Sequence, residues 1–273
     1  MQEQSYKLVS KGRINDAIKM YESYVKSHPT DLQAIYNKVW LLDSNQKVAD
    51  LADCNLLIKA DPEAKRFTNI YTMRANAYLN DDEIEKARAD INKTIALKQE
   101  GPGRYIVSYR LHQTRGEYKE ALADINHLLQ SEKAQSAYFY KIRALNYESL
   151  KEWDKALADW SSAIQAKPKD PELLRERARL YGAMQKLDLS IKDYGSMLKI
   201  DAKDELAFEL RGKAQYKLGN YKECIADLTR SLQLDPCAAS STYETRALAY
   251  EKLGDKINAA KDRESARKTR ERY

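Results

Sequence analysis

The chain has 273 residues, 43% apolar and 32% charged, an ordinary balance for a soluble protein with one substantial core or two domains. Nine glycines and six prolines leave few turns to bound strands, and no run approaches the roughly 18 apolar residues of a membrane span, so helices joined by short loops are favoured. A net charge of +6 is modest for this length and would not by itself hold nucleic acid.

Met1 to Asp16 contains no apolar run of signal-peptide length, and the three cysteines, Cys54, Cys224 and Cys237, lack metal-ligand spacing. Both features fit a reducing compartment, and a cytoplasmic location is the expectation.

Small residues mark a repeat. Ala17, Asp50, Ala87, Ala121, Ala156, Ser190, Cys224 and Ala259 follow one another at intervals of 33, 37, 34, 35, 34, 34 and 35 residues. Each opens the second of two short amphipathic helices, and the spacing divides the chain into units at about 1–29, 31–62, 68–99, 102–130, 137–168, 171–202, 205–236 and 240–271. The first unit has a shortened first helix, Gln2 to Lys11. In the second, Lys38 and Asp50 replace small residues, and about three extra residues around Ala64 to Arg66 precede the third. Gly101-Pro102-Gly103 opens the fourth unit, where a change in the angle of stacking is expected. The fifth states the pattern most fully: Tyr140, Arg143-Ala144, Tyr147 and Leu150, a turn at Lys151-Glu152, then Trp153, Ala156, Asp159-Trp160, Ala163 and a stop at Pro168. From Lys256 the last unit carries seven basic against three acidic residues, with Arg263 where Trp160, Tyr194 and Leu228 stand elsewhere. A polar end of this kind suits a solenoid cap or a surface for an anionic partner.

A pattern of paired helices at a period near 34, with small residues in both helices and a terminal proline, resembles the tetratricopeptide repeat over essentially the whole chain. The resemblance implies a single all-α domain over 1–273, a right-handed superhelical α-solenoid of about eight helix-turn-helix repeats. It also implies a non-catalytic scaffold or adaptor that takes up a partner peptide or helix in a concave groove lined by first helices.

Two polar residues recur in register. Asp53, Asp90, Asp124, Asp159, Asp193, Asp227 and Asp262 mark second helices; Arg74, Arg143, Arg177, Arg211 and Arg246 mark first helices. Catalysis seldom needs one group seven times, whereas a stack reuses its joints. Ion pairs across the joints, Asp159 with Arg177 and Asp193 with Arg211, are therefore expected. The tyrosines fall into two registers and read as interface fillers. Cys224 reads as a small buried hydrophobe. No phosphate loop, nucleophile elbow or Ser/His/Asp set is legible, so neither an enzyme nor a cofactor is expected, and His28, His112 and His127 lack metal-ligand spacing.

Carrying the family's groove positions over places Ile35 and Val39 in an apolar N-terminal part. Arg110, Lys141, Arg175, Arg179, Lys213 and Lys217 fall in a basic middle that suits carboxylates, interleaved with Glu148, Glu176 and Glu209. The residues of a carboxylate clamp for chaperone tails do not assemble, since Leu145 follows Lys141. The expected partner is a protein segment, acidic by this reading. Alternatives are a structural arm that binds through its ends or convex face, and a nucleic-acid-associated repeat protein.

Overall fold

The computed structural model describes all residues except 46, 131–135, 236–239 and 272–273, so Cys237 lies outside the described residues. Sixteen helices and no strand are found among them. Contacts divide the chain into two compact units, Met1–Ala134 and Gln135–Tyr273. The division falls after the fourth repeat.

The N-terminal unit holds α1 (Gln2–Ser10), α2 (Ile14–Ser27), α3 (Leu32–Ser44), α4 (Leu51–Ala60), α5 (Ile70–Asn80), α6 (Ile84–Ala96), α7 (Pro102–Thr114) and α8 (Tyr118–Leu129). The C-terminal unit holds α9 (Ala137–Ser149), α10 (Trp153–Ala166), α11 (Pro171–Ala183), α12 (Leu187–Ile200), α13 (Glu205–Leu218), α14 (Tyr221–Leu234), α15 (Ser240–Lys252) and α16 (Lys256–Glu271). These are the eight expected pairs. Between the helices of seven pairs, one residue two positions before the second helix takes a left-handed φ of 58–90°. Glycine fills that position at Gly12, Gly116, Gly219 and Gly254, whereas Asp82, Lys151 and Gln185 adopt it against their side-chain preference.

Small residues set how closely the helices approach. Ala144 and Ala156 are fully buried beside Trp160, which fills the space around them. The closest approach is at Gly212, where an added Cβ would lie 2.7 Å from a Leu228 methyl carbon.

The second repeat departs from the pattern for a visible reason. Its helix α4 lacks a first turn, and Asp50 caps the shortened helix by accepting from the Ala52 amide at 2.8 Å. The extra residues turn inward. Asp61 accepts from the Arg66 and Phe67 amides, and Ala64 and Phe67 join the core around Ile35, Val39, Cys54 and Leu57. Ile35 and Val39 are thus buried core residues, and the expected apolar N-terminal stretch of groove is not present at these positions.

The recurrent ion pairs form, but inside each repeat. Arg74–Asp90, Arg143–Asp159, Arg177–Asp193, Arg211–Asp227 and Arg246–Asp262 are all forked, with N–O distances of 2.6–2.8 Å between residues sixteen apart. The expected pairs across the joints are therefore corrected. Second-helix aspartates face the first helix of their own pair because the arginine and the aspartate lie at equal distances on either side of the turn, as Arg143 and Asp159 do about Lys151. The arginine's remaining nitrogen does cross the joint, to a neutral acceptor on the preceding second helix: Asn55 for Arg74, Ser161 for Arg177 and Thr229 for Arg246. At Arg211 the corresponding residue is Gly195, and no such bond is found among the described residues. Tyrosines of the two registers flank the guanidinium, at 5.9 Å on each side of Arg143 for Tyr140 and Tyr147.

Of the seven repeats that carry the aspartate, two lack the arginine. Lys38 replaces it in the second, paired with Asp53. In the fourth, His112 takes over one turn further along α7 and meets Asp124 at 2.8 Å, with Glu117 4.0 Å from its other nitrogen. The hydrogen bond to Asp124 raises the His112 pKa above its ordinary 6.5, against the opposing effect of burial. Because the folded value is raised, this contribution to stability is complete below the unfolded pKa and is lost as pH rises through the folded one. The protection factors of α7 and α8, exchange corrected for its intrinsic rise with pH, should therefore fall across that window in the wild type and stay level in a His112→Gln variant.

Candidate functional site

Within the C-terminal unit, α11, α12, α13 and α15 enclose a cleft of about 470 Å³. Tyr194, Leu210, Ala214 and Tyr216 supply apolar surface, Thr245 a hydroxyl, and Arg179, Lys213 and Lys217 the cations. Two of its first helices start from capped turns: Asp170 accepts from the Glu172 amide ahead of α11 and Asp204 from the Ala207 amide ahead of α13. These turns fix the rotation of the helices, which directs residues about one helical period apart toward the same cleft.

Three of the six basic residues expected in the groove line this cleft. Arg179 is held by Glu148 at 2.5 Å and Glu176 at 2.9 Å. Glu148 also accepts from the indole N–H of Trp160 at 2.7 Å, so one carboxylate joins the core to the cleft. Lys213 meets Glu209 at 2.5 Å and Ser241 at 3.2 Å, and Glu209 accepts from Thr242 as well. Those donors hold Glu209 below its ordinary pKa although burial acts in the other direction. Lys217 is exposed and has no ion pair or side-chain hydrogen bond among the described residues.

The other three lie elsewhere. Lys141 reaches Glu172, 2.7 Å away on the next first helix, and Arg175 sits 3.5 Å from Glu176. Arg110 belongs to the N-terminal unit, where it donates to Asn76 and to Asn80 (3.1 Å), while Asn76 in turn donates to Asp43 at 3.0 Å. Burial raises the pKa of Asp43, which Asn76 and Arg110 counteract. The basic middle is thus a set of largely compensated charges across neighbouring first helices. Tyr194, Leu210, Tyr216 and Thr245 were not singled out from sequence as cleft residues. Their signal is periodic, since Leu210 and Thr245 follow the groove positions Glu209 and Glu244 by one residue.

Cys54 and Cys224 are buried, and burial pushes both thiols up to about 12, which keeps them protonated at neutral pH. Among the described residues, no group of three or more His, Cys, Asp or Glu side chains is placed to hold a metal, and no helix is long and apolar enough to cross a membrane.

The tetratricopeptide repeat family model matches residues 206–236, which are α13 and α14 with their flanks. A tetratricopeptide repeat protein from Parabacteroides merdae superposes with a TM-score of 0.58 at 15% identity, covering 87% of this chain and 93% of its own. MamA from Desulfovibrio magneticus RS-1 gives 0.55 at 14% identity, covering 62% of this chain and 95% of its own. In sequence, the chain is similar to U-box domain-containing protein 70 of Oryza sativa subsp. japonica, with 21% identity over 82% of this chain and 28% of that protein. It is also similar to a tetratricopeptide repeat and J domain-containing co-chaperone, DNJ1, of Fusarium oxysporum, with 24% identity over 69% of this chain and 41% of that protein. The chain spans less than half the length of these curated relatives. With eight helix pairs at the repeat period, it has the all-α solenoid fold of tetratricopeptide repeat proteins, and one of its repeats matches that family's model. Proteins of this family generally mediate protein–protein interactions, and the repeat scaffold is generally non-catalytic.

Proposed function

We propose that the chain is a non-catalytic scaffold whose C-terminal unit takes up a segment of a protein partner in the cleft between α11, α13 and α15. The observation that carries this reading is Lys217, an exposed cation without an internal counter-charge, at the rim of a cleft whose other cations, Arg179 and Lys213, are already engaged. An apolar side chain of the segment fits against Leu210, Ala214 and Tyr216, and a carboxylate beside it meets Lys217. The compensated charges around the cleft favour a segment with one or two acidic groups over a polyanion. The relatives that join similar repeats to a U-box or a J domain support a role in recruiting proteins.

Lys217→Glu is the cleanest test, because no internal pair is broken. Proteins retained by the wild type at low salt in a quantitative pulldown should be depleted by the variant, with an unchanged melting midpoint. Equal retention would remove the cleft as the site.

A further inference from the structure

The joints of the C-terminal unit share one construction. On each second helix apolar residues seat the first helix of the following pair: Trp160 and Ile164 on α10, Tyr194 and Leu198 on α12, and Leu228 on α14, with Leu232 buried one turn further along. On α16 the same two positions are Arg263 and Arg267, each with 58% of its side chain exposed. No helix among the described residues covers them. Beside them Leu248 of α15 is 41% exposed, and with Ala266, Glu244 and Arg270 these residues line a cleft of about 370 Å³.

Two observations say what this cleft accepts. The preceding joints show that the two positions hold a helix. The change from apolar residues to arginines sets the chemistry of its contacting face. The arginines are tied only by exposed pairs, Arg263 to Glu251, Arg267 to Glu264 and Glu271, and Arg270 to Glu244. Such pairs contribute little and exchange readily for other carboxylates. The one buried carboxylate of α16, Asp262, is occupied by Arg246, which leaves six basic residues of this helix against Glu264 and Glu271 on the helix itself and Glu244 and Glu251 on α15. A solvated cap accounts for the arginines but not for the exposed leucine between them.

We propose that this end of the C-terminal unit docks an acidic amphipathic helix of a partner protein, seated as a further first helix would be, with carboxylates one turn apart on Arg263 and Arg267 and an apolar side chain against Leu248. The proposal is independent of the cleft around Lys217.

The test uses the full chain and two synthetic helical peptides of about four turns. Both carry leucines on one edge; one has glutamates and the other lysines at the two flanking positions one turn apart. By fluorescence anisotropy at low salt the glutamate peptide should bind and the lysine peptide should not. Arg263→Glu with Arg267→Glu should weaken the glutamate peptide by about tenfold or more and reverse the preference. Leu248→Ser should weaken it without reversing the preference, whereas binding that is lost in Lys217→Glu and kept in the double variant assigns the peptide to the other cleft and overturns the proposal. Circular dichroism checks that each variant keeps its helix content. Equal binding of the two peptides, or a double variant with unaltered affinity, overturns the proposal. So does self-association that the double variant abolishes, which assigns the surface to a second copy. Binding of an oligouridylate, lost in the double variant while neither peptide binds, overturns it in favour of nucleic acid.

Discussion

Arg177→Ala lowers the stability of the C-terminal unit by about 3–5 kcal/mol, read as a shift of the urea midpoint. The expected size comes from what is left behind. Asp193 keeps only 6% of its side chain exposed, and both its oxygens accept from Arg177 at 2.8 Å. Without the guanidinium this carboxylate must either remain charged and unpaired or take up a proton. The variant also loses the bond to Ser161, whose own removal by Ser161→Ala should cost only about 1 kcal/mol. Replacing both partners, Arg177→Met with Asp193→Leu, should recover most of the loss, since a buried pair is often no more stable than a well-packed apolar substitute. A midpoint unchanged by Arg177→Ala would show that Asp193 is solvated or paired otherwise. Capture of a partner at the cleft should survive the single change at temperatures where the unit remains folded.

Trp160→Ala is the second large effect, about 3–5 kcal/mol, because the side chain is fully buried among Ala144, Ala156, Leu173 and Leu180. Trp160→Phe separates volume from hydrogen bonding. It keeps most of the packing but removes the donor to Glu148, the carboxylate that also holds Arg179. Its cost should be about 1 kcal/mol, and because Arg179 then becomes the sole strong partner of Glu148, salt dependence of binding at the cleft should change as well. If phenylalanine proves as destabilising as alanine, the hydrogen bond and not the packing dominates.

The repeat was legible because close helix approach demands small residues at fixed places, and that demand recurs whatever the surface carries. Ala144 and Ala156 announce a pair without any knowledge of its neighbours. The partner of each arginine was not legible. Asp159 lies sixteen residues after Arg143 and eighteen before Arg177, and both spacings bridge adjacent helices. Only the rotation of the helices about their axes, set by the turn at Lys151, decides between them. The basic groove suffered from the same blindness to distance in the chain: Glu172 meets Lys141 and Glu148 meets Arg179 across thirty-one residues, so each cation is compensated by an acid from another repeat. Ile35 and Val39 were misplaced because α4 is one turn short, and the loop that makes good the loss turns its side chains into the core.

Closing each buried arginine onto an aspartate of its own pair has a consequence for how such a chain changes in length. Every module carries its own counter-ion. Duplication or excision of one helix pair cuts only the weaker bond from the guanidinium to Asn55, Ser161 or Thr229, and strands no charge in the interior. Had the pairs crossed the joints, the charge at each seam would have depended on the module that came to lie beside it, and the end modules would each have carried an unpaired member. Gain and loss of whole modules is therefore electrically neutral in the interior, and the sequence of each surface is free to diverge after copying.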